Sequence, residues 1–153
     1  MAKVAILMGS ESDRSVMKAS EDVLDQMGVD YETHVISAHR NPEQLMQYVQ
    51  NARDKEIKVF IAGAGGAAAL PGAIASWTSL PVIGVPIASS ELKGVDALYA
   101  IVQMPPGIPV AGVAIGSWGA KNAAYLATQI IGLNDDKARQ AYDSYRQSLK
   151  NKS

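Results

Sequence analysis

The segment at residues 37–42, Ser-Ala-His-Arg-Asn-Pro, carries the side chains of this chain that are best suited to chemistry. His39 is one of only two histidines, and an imidazole titrates near neutrality, so it can serve as an acid or as a base. Arg40 offers a fixed fork of donors that suits a phosphate or a carboxylate. The alternative is a solvent-exposed turn that only begins a helix, with Asn41 as its cap and Pro42 in its first turn.

Residues 9–13, Gly-Ser-Glu-Ser-Asp, form a second polar segment that could bind a phosphate. A glycine lets a ligand approach the backbone, hydroxyl groups donate hydrogen bonds, and a following helix presents free N–H groups. No Gly-Lys-Ser/Thr follows, so the segment is not the phosphate loop of nucleoside triphosphatases. Ser12 or Asp13 could instead cap the next helix. In a nucleotide site, Asp13 is expected to accept hydrogen bonds from ribose hydroxyl groups.

Residues 63–72, Gly-Ala-Gly-Gly-Ala-Ala-Ala-Leu-Pro-Gly, are unusually small. The segment contains Gly-x-Gly, but Ala68 stands where a dinucleotide fingerprint needs its third glycine, and the segment follows the third predicted strand rather than the first. NAD binding is therefore not expected. Side chains this small allow a flat ligand ring to lie against the backbone, another subunit to approach, or a strand and a helix to pack tightly.

Other polar residues lead to no separate site. His34 lies inside a predicted strand, where a structural role is expected. Ser89 and Ser90 would need a base to act as nucleophiles, and no Ser-His-Asp order is present. The chain has no cysteine and no paired-ligand spacing, so we expect no metal site, no thiolate nucleophile and no disulfide.

The composition favours a single globular domain over residues 1–153. Hydrophobic residues make up 48% of the chain and charged residues 19%, which supports a core and argues against disorder. Lys and Arg number 14 against 15 Asp and Glu, so no net field attracts nucleic acid or an anionic membrane. No signal-peptide pattern precedes the first strand and no apolar run could span a bilayer, which favours a cytoplasmic protein.

Short apolar runs alternate with helical patterns, which indicates a parallel sheet covered by helices on both faces. Strands are predicted at residues 4–8, 31–36, 57–62, 81–85 and 110–115. The expected fold class is α/β: a flavodoxin-like three-layer α/β/α sandwich with a five-stranded parallel sheet and an additional C-terminal helix. The strand-to-helix loops of such a sheet open at one edge. The three segments above are therefore expected on one rim with residues 86–90, Pro-Ile-Ala-Ser-Ser.

The additional helix is predicted over residues 134–150. Its apolar residues recur at three-to-four spacing, but the stripe is thin. The helix therefore needs another surface to pack on, in its own chain or, as we expect, in a neighbouring subunit. The residues of the stripe are Ala138, Ala141, Tyr142, Tyr145 and Leu149.

Four segments together resemble the family of N5-carboxyaminoimidazole ribonucleotide mutases, the class I enzymes of purine biosynthesis. The resemblance covers roughly residues 3–131, with the segments in order and at compatible spacing. The segments are 8–13, Met-Gly-Ser-Glu-Ser-Asp; 37–40, Ser-Ala-His-Arg; 62–68, Ala-Gly-Ala-Gly-Gly-Ala-Ala; and 101–110, Ile-Val-Gln-Met-Pro-Pro-Gly-Ile-Pro-Val.

The resemblance implies an isomerase of de novo purine (IMP) biosynthesis. Such an enzyme moves a carboxylate from the exocyclic nitrogen of an aminoimidazole ribonucleotide to ring carbon C4, without a metal, ATP or an organic cofactor. The resemblance also implies a flavodoxin-like subunit in a homo-octamer whose active sites draw on more than one subunit. A functional link to the ATP-dependent N5-carboxyaminoimidazole ribonucleotide synthase is expected as well.

Site residues follow from the resemblance position by position. His39 matches the family's catalytic histidine and is expected to act as general acid and base. Ser10, Asp13 and Arg40 match positions that hold the ribonucleotide, and the hydroxyls of Ser12 and Ser37 lie beside them. Gly65 and Gly66 match the loop whose backbone contacts the base and the carboxylate.

The chain departs from the family's common pattern at three positions, with Arg14 for a frequent Trp, Ala69 for a frequent His and Ala97 for a frequent Ser. Ala69 leaves His39 as the only histidine in the motifs. Two alternatives stay open. One is the class II relative, which carboxylates aminoimidazole ribonucleotide directly with CO2. The other is a non-enzymatic flavodoxin-like module that binds a flavin or a nucleotide. A flavin predicts aromatic residues on the rim loops, which contain none.

Overall fold

The computed structural model describes residues 3–152, so residues 1, 2 and 153 of the predicted domain lie outside it. Strands and helices alternate along this part of the chain, as predicted. The strands are β1 (Val4–Met8), β2 (Tyr31–Val35), β3 (Val59–Gly65), β4 (Val82–Ile87) and β5 (Ala111–Gly112). The helices are α1 (Arg14–Met27), α2 (Pro42–Gln50), α3 (Ala69–Trp77), α4 (Val95–Val102), α5 (Ser117–Gly132) and α6 (Asp136–Lys150).

All five strands are parallel, in the order β2-β1-β3-β4-β5. This is the flavodoxin-like order, so the predicted fold class is confirmed. The direction of winding reverses between β1 and β3. In sheets of this kind, the crevice outside the carboxyl ends of the strands at that reversal is where ligands bind.

Two hydrophobic cores lie on the two faces of the sheet. Successive side chains of β1 point to opposite faces, so Ile6 packs towards α1 and α5, whereas Leu7 packs towards α2 and α3. Every residue of β1 is buried, which explains its continuous apolar sequence. Gly28, with φ of 69°, ends α1 in the left-handed conformation that glycine adopts at little cost.

The third and fourth strands end later than the sequence indicated. Residues 63–65 were expected in a loop but belong to β3, because Ala64 and Gly65 pair with the last two residues of β4, Pro86 and Ile87. The prediction took small residues as a sign of a loop. Here they permit close packing inside the sheet, since a Cβ added to Gly63 would lie 2.4 Å from the Sδ atom of Met17.

The fifth strand is shorter than predicted, with a ladder of two residues instead of the expected run 110–115. It lies at the edge of the sheet, where only β4 can hold it. Beyond Gly112 the chain still follows β4, through hydrogen bonds donated by the N–H groups of Val113 (3.3 Å) and Gly116 (2.9 Å), but without a regular ladder.

Helix α6 begins at Asp136 and packs against α5 of the same chain. The rings of Tyr125 and Tyr145 stack with centroids 4.4 Å apart, and Ala138 is buried between the helices. The carboxylate of Asp135 caps the helix by accepting the N–H of Ala138 at 3.0 Å, and Lys3 forms an ion pair with the same carboxylate. A further contact of α6 with a neighbouring subunit stays a prediction. Within residues 3–152, no helix has the length and apolar character needed to cross a membrane.

Candidate active site

A cavity of about 200 Å³ opens at the carboxyl ends of the first four strands, across the reversal between β1 and β3. All four rim segments picked out in the sequence contribute to its wall. Arg40 and Gly66, also predicted as site residues, do not line it. The predicted site residues that do line it are Ser10, Ser12, Asp13, Ser37, His39 and Gly65.

A tight turn after β2 presents His39 on the exposed lip of the cavity. The turn closes through Ser37, whose carbonyl oxygen accepts the N–H of Asn41 at 2.9 Å and whose Oγ accepts the N–H of Arg40 at 3.1 Å. The His39 ring forms no hydrogen bond with any other residue of the described range 3–152. It is therefore free to exchange protons with a bound ligand.

The side chain of Asn41 does not cap α2, contrary to the prediction. Asn41 occupies the position before Pro42, and its N–H and C=O groups bond along the backbone to Ser37 and Leu45. The turn is held by the Ser37 hydroxyl instead, so a residue predicted for substrate contact has a structural hydrogen bond as well.

The guanidinium of Arg40 joins two of the rim loops. Its Nη2 donates to the carbonyl oxygen of Gly9 at 3.2 Å, which places the charge beside the β1 loop. A guanidinium has five N–H donors, so most of them stay available to an anionic ligand outside the cavity wall. Gly66 follows Gly65 on the other side of the cavity with φ of 58°.

The β1 loop forms one 3-10 turn, Glu11–Asp13, that presents two hydroxyls. The Oγ atoms of Ser10 and Ser12 lie 2.9 Å apart, and Ser10 Oγ also accepts the N–H of Ser12 at 3.3 Å. Asp13 stands at the cap position of α1 but makes no side-chain capping bond. Helix capping by Ser12 or Asp13 therefore does not explain these residues. The Ser12 hydroxyl has only that of Ser10 as a side-chain partner, so it can still bond to a ligand.

Asp13 is a buried carboxyl group in the cavity wall, with 6% of its surface exposed. Loss of hydration raises its pKa, and a backbone hydrogen bond at Ser10 offsets only part of that effect. No ion pair with another residue of 3–152 compensates its charge. A buried carboxyl without an ion-pair partner lowers the stability of the fold when it is ionised. Groups of this kind are often found where a ligand binds.

Arg14 neutralises the other carboxylate of this loop. Its Nε and Nη2 donate to Glu11 at 2.8 and 3.1 Å, and the hydrogen bond lowers the pKa of Glu11. Glu11 does not line the cavity, so its charge does not repel an anionic ligand there. The pair gives Arg14, one of the departures from the family pattern, a partner in its own loop.

The wall opposite the β1 loop is apolar and ends at a helix N-terminus. Ala64, Ala68 and Leu70 line it. Ala68 adopts φ of 47°, uncommon for a non-glycine residue, and its N–H bonds to Gly65 O at 3.0 Å. No side chain caps α3, so its first N–H groups are available to an anionic group in the cavity.

Ser89 is the one polar side chain of the described cavity wall that the sequence does not place in the site. As a nucleophile it would need a base, and the sequence offers none. The available signal was its position in the polar segment after β4, on the same rim as the other loops. Its Oγ lies directly over Gly65, since a Cβ added to that glycine would stand 1.8 Å from it.

The site contains no arrangement typical of a metal centre. Within residues 3–152, no three or more His, Asp and Glu side chains are grouped to hold a metal ion. The polar groups of the cavity wall are therefore hydroxyls, one imidazole, one buried carboxyl and backbone N–H groups. Such groups can bind a phosphorylated ligand and move a proton, but they provide no activated nucleophile.

The chain is similar to known proteins over nearly its whole length. The family model described as AIR carboxylase matches residues 3–152. N5-carboxyaminoimidazole ribonucleotide mutase of Vibrio parahaemolyticus is 55% identical over 144 residues, 94% of this chain and 89% of the relative. The enzyme of the same name from Saccharolobus solfataricus is 53% identical over 151 residues, 99% and 94% of the two chains.

The crystal structure of Treponema denticola PurE superposes with a TM-score of 0.88 at 31% identity, covering 97% of this chain and 92% of that one. Sequence and fold therefore agree over nearly the whole chain, and the resemblance drawn from four short motifs is confirmed. The chain belongs to the AIR carboxylase family.

Proposed function

We propose that this chain is the isomerase that converts N5-carboxyaminoimidazole ribonucleotide to 4-carboxyaminoimidazole ribonucleotide in de novo purine (IMP) biosynthesis. The observation that carries the proposal is the cavity itself. It joins His39, serine hydroxyls, a buried carboxyl and an apolar wall in a chain more than half identical to enzymes of that name.

The ribonucleotide spans the cavity from the charged rim to the apolar wall. Its phosphate lies at the β1 loop, where the hydroxyls of Ser10 and Ser12 and the Arg40 guanidinium can donate hydrogen bonds. Asp13 accepts from ribose hydroxyl groups. The aminoimidazole ring lies against Gly65 and the residues of the apolar wall, where no bulky side chain blocks it. Gly66 adds backbone contacts beside it.

His39 moves the protons of the reaction. Its imidazolium protonates the carbamate nitrogen, the bond from that nitrogen to the carboxyl carbon breaks, and the electron pair stays on nitrogen. The nucleophilic C4 then forms a bond to the released CO2. Neutral His39 accepts the proton that leaves C4, which restores the imidazolium. One imidazole can perform both transfers, because it acts as an acid when it carries the proton and as a base after it has given the proton up.

The apolar wall keeps the CO2 close to C4. Ala64, Ala68 and Leu70 offer no hydrated group, so CO2 formed beside them displaces little bound water. The uncapped N-terminus of α3 favours the negative charge of the carboxylate before and after the transfer. Enclosure of this kind requires that the cavity be covered while CO2 is free.

The proposal includes a homo-octamer with sites completed by a second subunit. Exposed apolar side chains support it: Tyr99 of α4 is 66% exposed and Trp118 of α5 is 78% exposed, and Leu92 and Val95 are exposed as well. The cavity is also smaller than the roughly 300–1,000 Å³ typical of ligand pockets, so one subunit alone does not enclose a nucleotide. A cytoplasmic location and a link to the ATP-dependent synthase rest on the resemblance alone.

The test is the choice of substrate. The purified protein is incubated with N5-carboxyaminoimidazole ribonucleotide, and separately with aminoimidazole ribonucleotide and a low concentration of bicarbonate. We expect 4-carboxyaminoimidazole ribonucleotide to form rapidly from the first mixture only. Product from the second mixture alone would instead identify a carboxylase of the class II type.

A further inference from the structure

Ser89 brings a hydroxyl to the end of the cavity that lies away from His39. The loops follow the strand order, so the β2 loop with His39 is at one end of the cavity and the β4 loop with Ser89 is at the other. Beyond the β1 and β2 loops, the remaining described residues of the wall are Ala, Gly and Leu. Ser89 is therefore the hydrogen-bonding side chain of the apolar end.

The Ser89 hydroxyl has no partner of its own among residues 3–152. Its backbone N–H bonds to the carbonyl oxygen of Ile87 at 3.0 Å, which fixes the residue without using the side chain. The next residue contrasts with it, since Ser90 Oγ donates to Asp96 at 2.6 Å and accepts the N–H of Leu92 at 3.1 Å. Two adjacent serines thus differ, one engaged in the loop and one free at the cavity.

The site keeps room for this hydroxyl by having no side chain at residue 65. A Cβ on Gly65 would overlap Ser89 Oγ at 1.8 Å, so any larger residue would push the hydroxyl away. The Oγ atom lies above the same backbone against which the ligand ring is proposed to rest. A free donor at this place can reach the part of the ligand bound at the apolar end.

We propose that the Ser89 hydroxyl donates a hydrogen bond to the carboxyl group in transit between nitrogen and C4, and so retains CO2 in the cavity until C4 captures it. This inference rests on the proposed function. Ser89 transfers no proton and forms no covalent bond in this role. The group in transit is a carboxylate before and after the transfer, and its oxygens are the acceptors that a free hydroxyl can serve.

The test measures how often CO2 is lost. N5-carboxyaminoimidazole ribonucleotide is supplied to the wild type, to Ser89→Ala and to Ser90→Ala as a matched control outside the cavity. The yields of 4-carboxyaminoimidazole ribonucleotide and of decarboxylated aminoimidazole ribonucleotide are determined by chromatography, with a blank lacking enzyme subtracted. We expect the ratio of decarboxylated to carboxylated product to rise about tenfold in Ser89→Ala, the factor for losing one hydrogen bond to a charged group.

KM should change little in Ser89→Ala, and Ser90→Ala should keep the wild-type product ratio. An unchanged ratio in Ser89→Ala, or a raised KM at an unchanged ratio, overturns the inference. If Ser89→Ala fails to fold, Ser89→Cys decides, because it keeps a hydrogen-bearing atom on Cβ but its thiol donates only weakly, and it should raise the ratio in the same direction. Absence of 4-carboxy product from the wild type would contradict the proposed function itself.

Discussion

His39 and Arg40 are adjacent in the chain but differ in what holds them. The His39 ring has no hydrogen-bond partner within the described part of the chain, whereas Arg40 Nη2 is bonded to the β1 loop. Both side chains are exposed, so neither contributes much to packing. Their substitution should therefore change activity far more than stability.

We predict that His39→Asn folds normally and lowers kcat by about 10²–10⁴-fold, the range for loss of a general acid–base group. Arg40→Ala should instead chiefly raise KM, by about 30-fold for a lost charge-assisted contact of ~2 kcal/mol. Steady-state kinetics of the two variants, with circular dichroism as the check on folding, measure this difference. Near-normal turnover of His39→Asn would show that the acid–base assignment is wrong.

Asp13 should make the fold less stable at neutral pH than it would be without the charge. Burial raises its pKa, so between the ordinary value and the raised one the native state binds more protons than the unfolded state. Stability therefore falls as pH rises through this interval. The full cost is present above the raised pKa and absent below the ordinary one.

Asp13→Asn is expected to melt at a higher temperature than the wild type at pH 7, with a gap that closes as the pH falls towards the ordinary pKa of Asp, while nucleotide binding weakens. Asp54→Asn, at an exposed position, controls for the change in net charge. Thermal unfolding across this pH range provides the measurement. A lower melting temperature of Asp13→Asn at pH 7 would mean that other contacts of this carboxyl outweigh its desolvation.

At the scale of single residues, the sequence identified the groups with chemistry but not every relation among them. His39, Ser10, Ser12, Asp13 and Ser37 were named from their types and motifs, and they lie around one cavity. Their proposed roles stay predictions. Ser89 was missed because its importance comes from its position over Gly65. A contact between residues 24 positions apart leaves no local pattern in the chain.

Some glycines in the helices that carry the site cannot be replaced by a larger residue, because they lie against the backbone of another segment. Gly119, in the first turn of α5, lies against Ala114, and a Cβ there would stand 1.6 Å from that residue's carbonyl oxygen. Backbone atoms cannot rotate away as the end of a side chain can. Gly72 in α3 differs, because an added Cβ would make only ordinary contact with Met104 Sδ at 3.4 Å.

Gly119→Ala should accordingly destabilise the fold by about 3 kcal/mol, the upper range for overpacking. Gly72→Ala, the matched control in another helix, should be neutral or stabilise by up to about 1 kcal/mol, because alanine is the better helix former. Chemical denaturation of both variants tests the pair. Equal stabilities would mean that the segment before α5 moves freely enough to accept the methyl group.

At the scale of elements, the sequence predicted the order of strands and helices well and the ends of strands poorly. Buried strands are continuous apolar runs, and these were found. The end of β3 was misplaced because Gly63 and Gly65 resemble a loop in composition, yet they pair with β4 through backbone atoms that do not depend on side chains. The length of β5 depends on its pairing with β4 alone. The pattern of apolar residues in the sequence cannot predict how far that pairing extends.

At the scale of the whole molecule, the proposed octamer has to be tested in solution, because the structure contains a single chain. Large apolar side chains lie exposed in and next to α4, among them Leu92, Val95 and Tyr99, and a second subunit could cover them. We expect light scattering to give the mass of eight chains. Tyr99→Glu should reduce that mass, whereas Gln47→Glu, which adds the same charge at an exposed position of α2, should not. A wild-type monomer would refute the proposed assembly.

The most direct test of the central claim, transfer of the substrate's own carboxylate, is to follow its carbon. N5-carboxyaminoimidazole ribonucleotide labelled with ¹³C in the carboxyl group is converted in an excess of unlabelled bicarbonate, and the product is analysed by mass spectrometry. We predict that 4-carboxyaminoimidazole ribonucleotide keeps most of the label, because CO2 is captured before it leaves the cavity. A product with the isotope content of the dissolved bicarbonate would show carboxylation from solution and contradict the account.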